Sequence, residues 1–176
     1  MNNIFIYLRK SFEIILFKYP FFINIFQILR YYIGFIPYLI NKILNRPYIG
    51  GYLFSDTDSF RGRYENIEKI INHINKTKIK VLEIGCYCGQ NTIFMGNLFR
   101  NMNINYQITC LDIWNDYDRG TDKLNFFHNK VSENLKNGKV FNLFMQNIKN
   151  TNMQKHISIK KRDSFTYLDN IDEKFD

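Results

Sequence analysis

The sequence predicts an α/β protein: a parallel sheet of about three strands with flanking helices, preceded by a hydrophobic helical segment. Three observations carry this. Short apolar runs at 79–84, 107–113 and 156–160 have the length and residue types of buried strands. The stretches between them place apolar residues at helical spacing. Strands that alternate with helices imply parallel pairing through right-handed crossovers.

The elements follow in order. Residues 1–46 form a basic, aromatic-rich hydrophobic appendage. From 19 to 41 the only charge is Arg30, near the middle, so the length would cross a bilayer. Arg30 is costly at a bilayer centre, Pro20 and Pro37 break or start helices, and basic residues flank both ends. No small-residue cleavage site follows the apolar core. The expectation is a helical segment at 4–44 lying in the membrane interface. A single span, and packing on the domain or on a second subunit, are the alternatives.

Residues 47–60 carry a Gly pair and several cap-type residues just after Arg46-Pro47, and read as a linker. The α/β domain then occupies 61–176. Ile67, Ile70, Ile71 and Ile74 predict an amphipathic helix over 63–75 leading into the first strand. A helix over 91–101 leads to the second strand. Leu124, Phe127, His128, Val131 and Leu135 line one face of a helix at 121–136. Phe141, Phe144, Met145 and Ile148 line another at 141–148. The third strand follows, and a further helix begins at 164–168.

Charge and cysteine narrow the function classes. Of the net charge of +8, +5 belongs to residues 1–46, which hold six basic side chains against Glu13 alone. The remaining +3, from 18 basic and 15 acidic side chains, is an ordinary solvated surface, so nucleic acid is not indicated as a partner. Cys86, Cys88 and Cys110 suggest a reducing compartment. The Cys86-x-Cys88 spacing fits neither a redox pair nor a zinc knuckle, so no metal site is expected.

The chemistry gathers at the strand ends. Glu83, Asp112 and Asp163 fall at or just after the ends of the three strands, which share one rim of a parallel sheet. Gly85 and Gly89 let the backbone approach a ligand and free a helix amino terminus to meet it. Asp112 follows Gly89 by 23 residues, a spacing that suits an acid accepting from two ribose hydroxyls. The plain alternatives are a solvated loop acid for Asp112 and a helix cap for Asp163.

Here the chain resembles the class I S-adenosylmethionine-dependent methyltransferases. Val-Leu-Glu-Ile-Gly-Cys-Tyr-Cys-Gly at 81–89 looks like their glycine-rich first motif. Ile-Thr-Cys-Leu-Asp-Ile-Trp at 108–114 is similar to their second-strand motif, and Ile-Lys-Lys-Arg-Asp-Ser at 159–164 to their third. With Phe-x-x-x-Met-x-Asn-Ile at 141–148, the pattern is similar to a bacterial methyltransferase-domain family found beside glycan and secondary-metabolite genes. The resemblance covers about 64–176. It implies a Rossmann-like sheet and an enzyme with S-adenosyl-L-methionine as cofactor; together with the 4–44 segment, the expectation is a cytoplasmic protein, peripheral at the inner face of the membrane. The implied reaction is O-methylation of a small molecule or glycan, with nitrogen the less expected acceptor.

The implied roles are carried position by position. Glu83 meets the methionine part; Gly85, Tyr87 and Gly89 form the loop under ribose and methionine. Asp112 holds the ribose hydroxyls, Ile113 or Trp114 contacts the adenine face, and Asp163 with Ser164 addresses the adenine edge. Two positions depart from the family pattern: Tyr87 stands for a common glycine, and Arg162 for the glycine before the acid. The resemblance supplies no catalytic residue here. His73, His128 and His156 read as packing or surface histidines, and Asp116, Asp118 and Asp122 as a solvated loop.

In the resembling family, Phe-Asp at 175–176 opens a fourth strand beside the first. The expectation is therefore the cofactor-binding, amino-terminal half of a domain, with an apolar edge of the first strand left open and 1–176 marginal when expressed alone. Two other readings stay open. One is a non-catalytic cofactor-binding or membrane-associated module whose sheet another chain completes. The other is an NAD-type domain, although that would want G-x-G-x-x-G after the first strand.

Overall fold

The computed structural model describes residues 20–56, 61–74, 76–116 and 126–176. Strands β1 (Lys78–Ile84), β2 (Asn105–Asp112) and β3 (Ile157–Lys161) form one parallel sheet in the order β1-β2-β3. The register sets Glu83 against Cys110, Ile84 against Leu111, and Asp112 against Lys161. All three strands therefore end on one rim, with β2 in the middle. The central strand is the most apolar and the most buried: Tyr106, Ile108, Thr109, Cys110 and Leu111 are all inside.

One sheet face carries Ile79, Val81, Tyr106, Ile108, Cys110, Ile157 and Ile159, which belong to a single core with the helices. Helix α3 (Gln90–Asn101) contributes Met95 and Phe99, α4 (Phe126–Lys136) Val131 and Leu135, and α5 (Lys139–Asn150) Val140, Leu143, Phe144 and Ile148. Helix α2 (Arg61–Ile74) adds Ile71. The short α6 (Ser164–Leu168) follows β3. Each boundary lies within a residue or two of its sequence expectation, apart from the amino end of α4. The expected start of that helix, at 121, lies outside the described residues.

On the free side of β1 the chain end makes contact. The Asp176 amide donates to Lys80 O at 2.9 Å, and the Lys80 amide donates to Asp176 Oδ2 at 2.8 Å. Lys76 Nζ and Lys80 Nζ add ion pairs to Asp176 and Glu173. Beyond Lys80 no strand pairs on that side among the described residues, and Ile84 stays 52% exposed.

Helix α1 (Pro20–Ile43) corrects one expectation. Pro20 starts it, but Pro37 lies inside it without ending it, because packing on both sides of that turn holds the axis. The helix docks by a narrow stripe: Arg30 pairs with Asp56, Tyr31 donates to Asn134 Oδ1 at 3.1 Å, and Gly34 meets the 50–52 backbone. A Cβ at Gly34 would lie 2.4 Å from Tyr52 N, so only glycine allows this approach.

Of the 47–60 stretch read as a linker, the described part, 47–56, is packed; 57–60 lie outside the described residues. Tyr48, Leu53, Phe54 and Ser55 are buried, and Tyr48, Tyr52 and Phe54 join Tyr31 and Tyr38 in a chain of ring contacts. Packing five aromatic rings together, three of them buried, outweighs the Gly and Pro residues that marked this stretch as flexible.

Candidate functional site

The loop after β1 is built from left-handed turns. Gly85 leaves the strand at φ 77, and its amide donates to Leu111 O at 2.9 Å. A Cβ placed there would meet nothing within 4 Å, so this side of the loop faces open space. Gly89 sits at φ 84 with Phe144 beneath it, where a Cβ would come within 3.0 Å of the ring. Between them Tyr87 adopts φ 47, which is strained for a bulky side chain and needs external support. It has three bonds. Its amide donates to Asp112 Oδ2 at 2.9 Å, its carbonyl accepts from Trp114 Nε1 at 2.7 Å, and its hydroxyl donates to Leu53 O at 2.7 Å.

Asp112 fastens this loop to the end of β2. Its second oxygen accepts the Trp114 amide at 2.8 Å, which holds Trp114 at φ 42. Each carboxylate oxygen has two lone pairs, so one backbone amide on each leaves capacity for one more donor. Trp114 itself is buried between Phe141 and Phe144, with ring centroids at 5.0 and 4.8 Å. Of the two residues expected at an adenine face, Ile113 is the one that reaches the surface. Trp114 is committed to the core and to Tyr87.

Glu83 is buried under the loop. Its Oε2 accepts from Thr92 Oγ1 at 2.5 Å, in the first turn of α3, with Cys110 Sγ at 4.0 Å. The Cys86 thiol donates to Glu83 O at 3.4 Å. Ligand atoms of Glu83, Cys86 and Cys110 lie within 4.8 Å of one another. A cation there would need thiolates. Hydrogen bonding with Cys110 and burial push the Cys86 thiol up, which disfavours the thiolate a cation would need there.

At the end of β3, Asp163 caps α6. It accepts from Thr166 N at 3.0 Å and Thr166 Oγ1 at 3.1 Å, and those bonds hold its carboxyl below the usual range. Ser164 begins the helix and is half-buried. The two residues share the rim, but their described contacts stay within α6. His156 stacks on Tyr106 and lies 3.1 Å from its carbonyl. His73 is exposed on α2 and His128 half-buried on α4. Asp116 accepts from Ser132 and pairs with Lys136. Asp118 and Asp122 lie outside the described residues.

Sequence reasoning missed Asn147. It is fully buried on α5, accepts the Tyr48 amide at 2.7 Å, and donates to Tyr48 O at 3.0 Å and Cys88 O at 2.8 Å. One side chain thus joins the glycine loop to the 48–55 segment. The signal was present: Asn147 is the asparagine of the Phe-x-x-x-Met-x-Asn-Ile run.

No protein-family model matches the chain, and neither the curated proteins nor the solved structures give a match. The fold stands on its own geometry: a three-stranded, Rossmann-like parallel sheet whose first loop and second-strand acid meet at one rim.

Proposed function

We propose that this domain binds S-adenosyl-L-methionine as the cofactor-binding part of a methyltransferase acting on an oxygen of a small molecule or glycan. The observation that carries the reading is the Asp112 carboxylate at the end of β2, bonded to Tyr87 N beside the open face of Gly85. The residues fit an adenosyl group. Asp112 retains an acceptor site on each oxygen for a ribose hydroxyl, Gly85 leaves the space a side chain would fill, and Ile113 offers an exposed apolar surface to the adenine. Asp163 and Ser164, one strand further along the rim, are the candidates for the adenine edge. Glu83, turned toward Thr92, supports the methionine end by fixing the first turn of α3.

When bound, the cofactor supplies an electrophilic methyl on sulfur. The protein's task is to orient it and exclude water. Single left-handed turns at Gly85, Tyr87 and Gly89 fix the loop path. The G-x-G-x-x-G spacing of an NAD site is absent from 85–90. Thermal unfolding with S-adenosylhomocysteine and with NAD tests the reading, because a ligand that binds only the folded state raises the melting temperature. A rise with the former alone supports it. A rise with NAD alone overturns it.

We also propose that α1 seats the protein on a membrane surface. The support is its inside-out pattern. Gln27, Arg30, Tyr31 and Asn41 lie on the protein side, while the outward face is apolar from Phe21 to Ile43, with Ile33 and Ile36 each 62% exposed. Arg30, the objection to a bilayer, is turned inward to Asp56 and the Phe54 ring. The docked stripe favours a helix lying along the interface over one that crosses it.

A further inference from the structure

At the carboxyl end of α1 a groove of about 640 Å³ opens between that helix, α5 and the outer edge of β3. Its floor is apolar: Met145, Ile148, Ile157 and Ile159. Lys42 and Lys149 line it, and no acid does among the described residues. The groove starts at the end of β3 opposite the rim, at Ile157, and runs along the strand as far as Ile159.

We infer that this groove takes one anionic phospholipid of the bilayer, with its headgroup phosphate between Lys42 and Lys149 and an acyl chain along Ile157 and Ile159. The inference deepens the reading of α1 as a membrane-seated helix and rests on it. Two features select this occupant. Lysine is a flexible point charge suited to a phosphate, and two of them without a carboxylate counterion make a site for an anion. A phosphate alone would have no use for the aliphatic floor, whereas an acyl chain buries it. The groove is also continuous with the apolar face: Lys42 lines the groove one residue before Ile43, which is 78% exposed on the outward side of α1. A lipid drawn from the leaflet that holds α1 enters beside Lys42, where Asn45 also lines the groove.

The test is flotation of the full chain with vesicles of phosphatidylcholine alone, and of phosphatidylcholine mixed equally with phosphatidylglycerol. The wild type should float with both and bind the mixed vesicles more tightly. A basic residue near an anionic surface contributes roughly fivefold in affinity, so Lys42→Gln with Lys149→Gln should lower mixed-vesicle binding by about twenty-five-fold and leave phosphatidylcholine binding unchanged. Lys69→Gln with Lys78→Gln, both exposed elsewhere, removes the same charge as a control. An equal loss in the control pair means diffuse attraction and overturns the site. So does an unchanged preference in the groove pair. Loss of the preference on adding inorganic phosphate at matched ionic strength assigns a free-anion site instead and overturns the lipid. Binding to mixed vesicles with none to phosphatidylcholine sinks the α1 seat and, with it, the groove as a lipid site. Absence of binding to either vesicle sinks both.

Discussion

Asp112 accepts the backbone amide of Tyr87 at 2.9 Å, across 25 residues of sequence, and so ties the loop after β1 to the end of β2. The tie uses the tyrosine's main chain, while its side chain reaches the other way to Leu53 O. The two functions should therefore separate. Tyr87→Phe loses one neutral hydrogen bond, about 0.5–1.5 kcal/mol of stability, and keeps the loop on Asp112. Urea unfolding should show that loss, with S-adenosylhomocysteine affinity changed less than about threefold, below the 1.4 kcal/mol of a tenfold effect. A large affinity loss without destabilisation would place the phenol in the ligand site.

Asn147 should matter more than any surface residue. Asn147→Leu leaves the Tyr48 amide and the Tyr48 and Cys88 carbonyls buried without their bonds. At about 1–3 kcal/mol for each such group the variant should lose at least about 3 kcal/mol. Limited proteolysis should then cut within 46–56 faster than in the wild type. Equal protection in both proteins would contradict the role given to this side chain.

Two glycines distinguish hard from soft contacts. Gly34→Ala drives a Cβ into the Tyr52 backbone at 2.4 Å, and backbone cannot step aside, so a cost of about 1–3 kcal/mol follows. At Gly96 the same change meets the flexible end of Met153 at 2.7 Å and gains about 1 kcal/mol of helix propensity in α3. Urea midpoints should fall clearly for the first and move little for the second. The reverse order would mean that α1 is not docked as described.

Cys86 should be inert in the native state. Its thiol is pushed up by hydrogen bonding with Cys110 and by burial, and the thiolate is the reactive form. Alkylation at mildly alkaline pH should be slow until the protein unfolds, as followed by mass spectrometry. Rapid native-state labelling of Cys86 would show the loop to be open.

Asp163 gives a pH signature. Its carboxyl is held low by the Thr166 amide and hydroxyl, so its contribution to capping α6 is present above the ordinary carboxylate pKa and is lost as pH falls through the lowered value. The Thr166 amide shift should titrate with a midpoint below about 3.9, the ordinary value for Asp. A midpoint above that would indicate that the cap is not formed.

Much of the sheet was legible because its signal is local. Apolar runs at 79–84 and 107–113 become strands, and the acids at their ends land on the rim. The described part of the 47–60 stretch, 47–56, misled because Gly and Pro speak for the free chain, whereas Tyr48, Leu53 and Phe54 are held by Asn147, Tyr87 and Phe127, all distant in sequence. Trp114 was named with Ile113 as one of two candidates for an adenine face, and residue type alone does not choose between them. A left-handed turn, which residue type does not announce, swings Trp114 into the aromatic core. Pro37 was read by its intrinsic effect, and tertiary packing of α1 overrides that.

The central claim is that Asp112 at the β1–β2 rim binds the ribose of an adenosyl ligand. Isothermal titration of S-adenosylhomocysteine into the wild type and into Asp112→Ala tests it most directly, with unfolding of both followed to confirm that the variant is folded. Loss of charged-acceptor hydrogen bonds predicts affinity weaker by about 1.5–3 kcal/mol, roughly ten- to a hundredfold. Equal affinity in a folded variant would contradict the claim and remove Asp112 from the site.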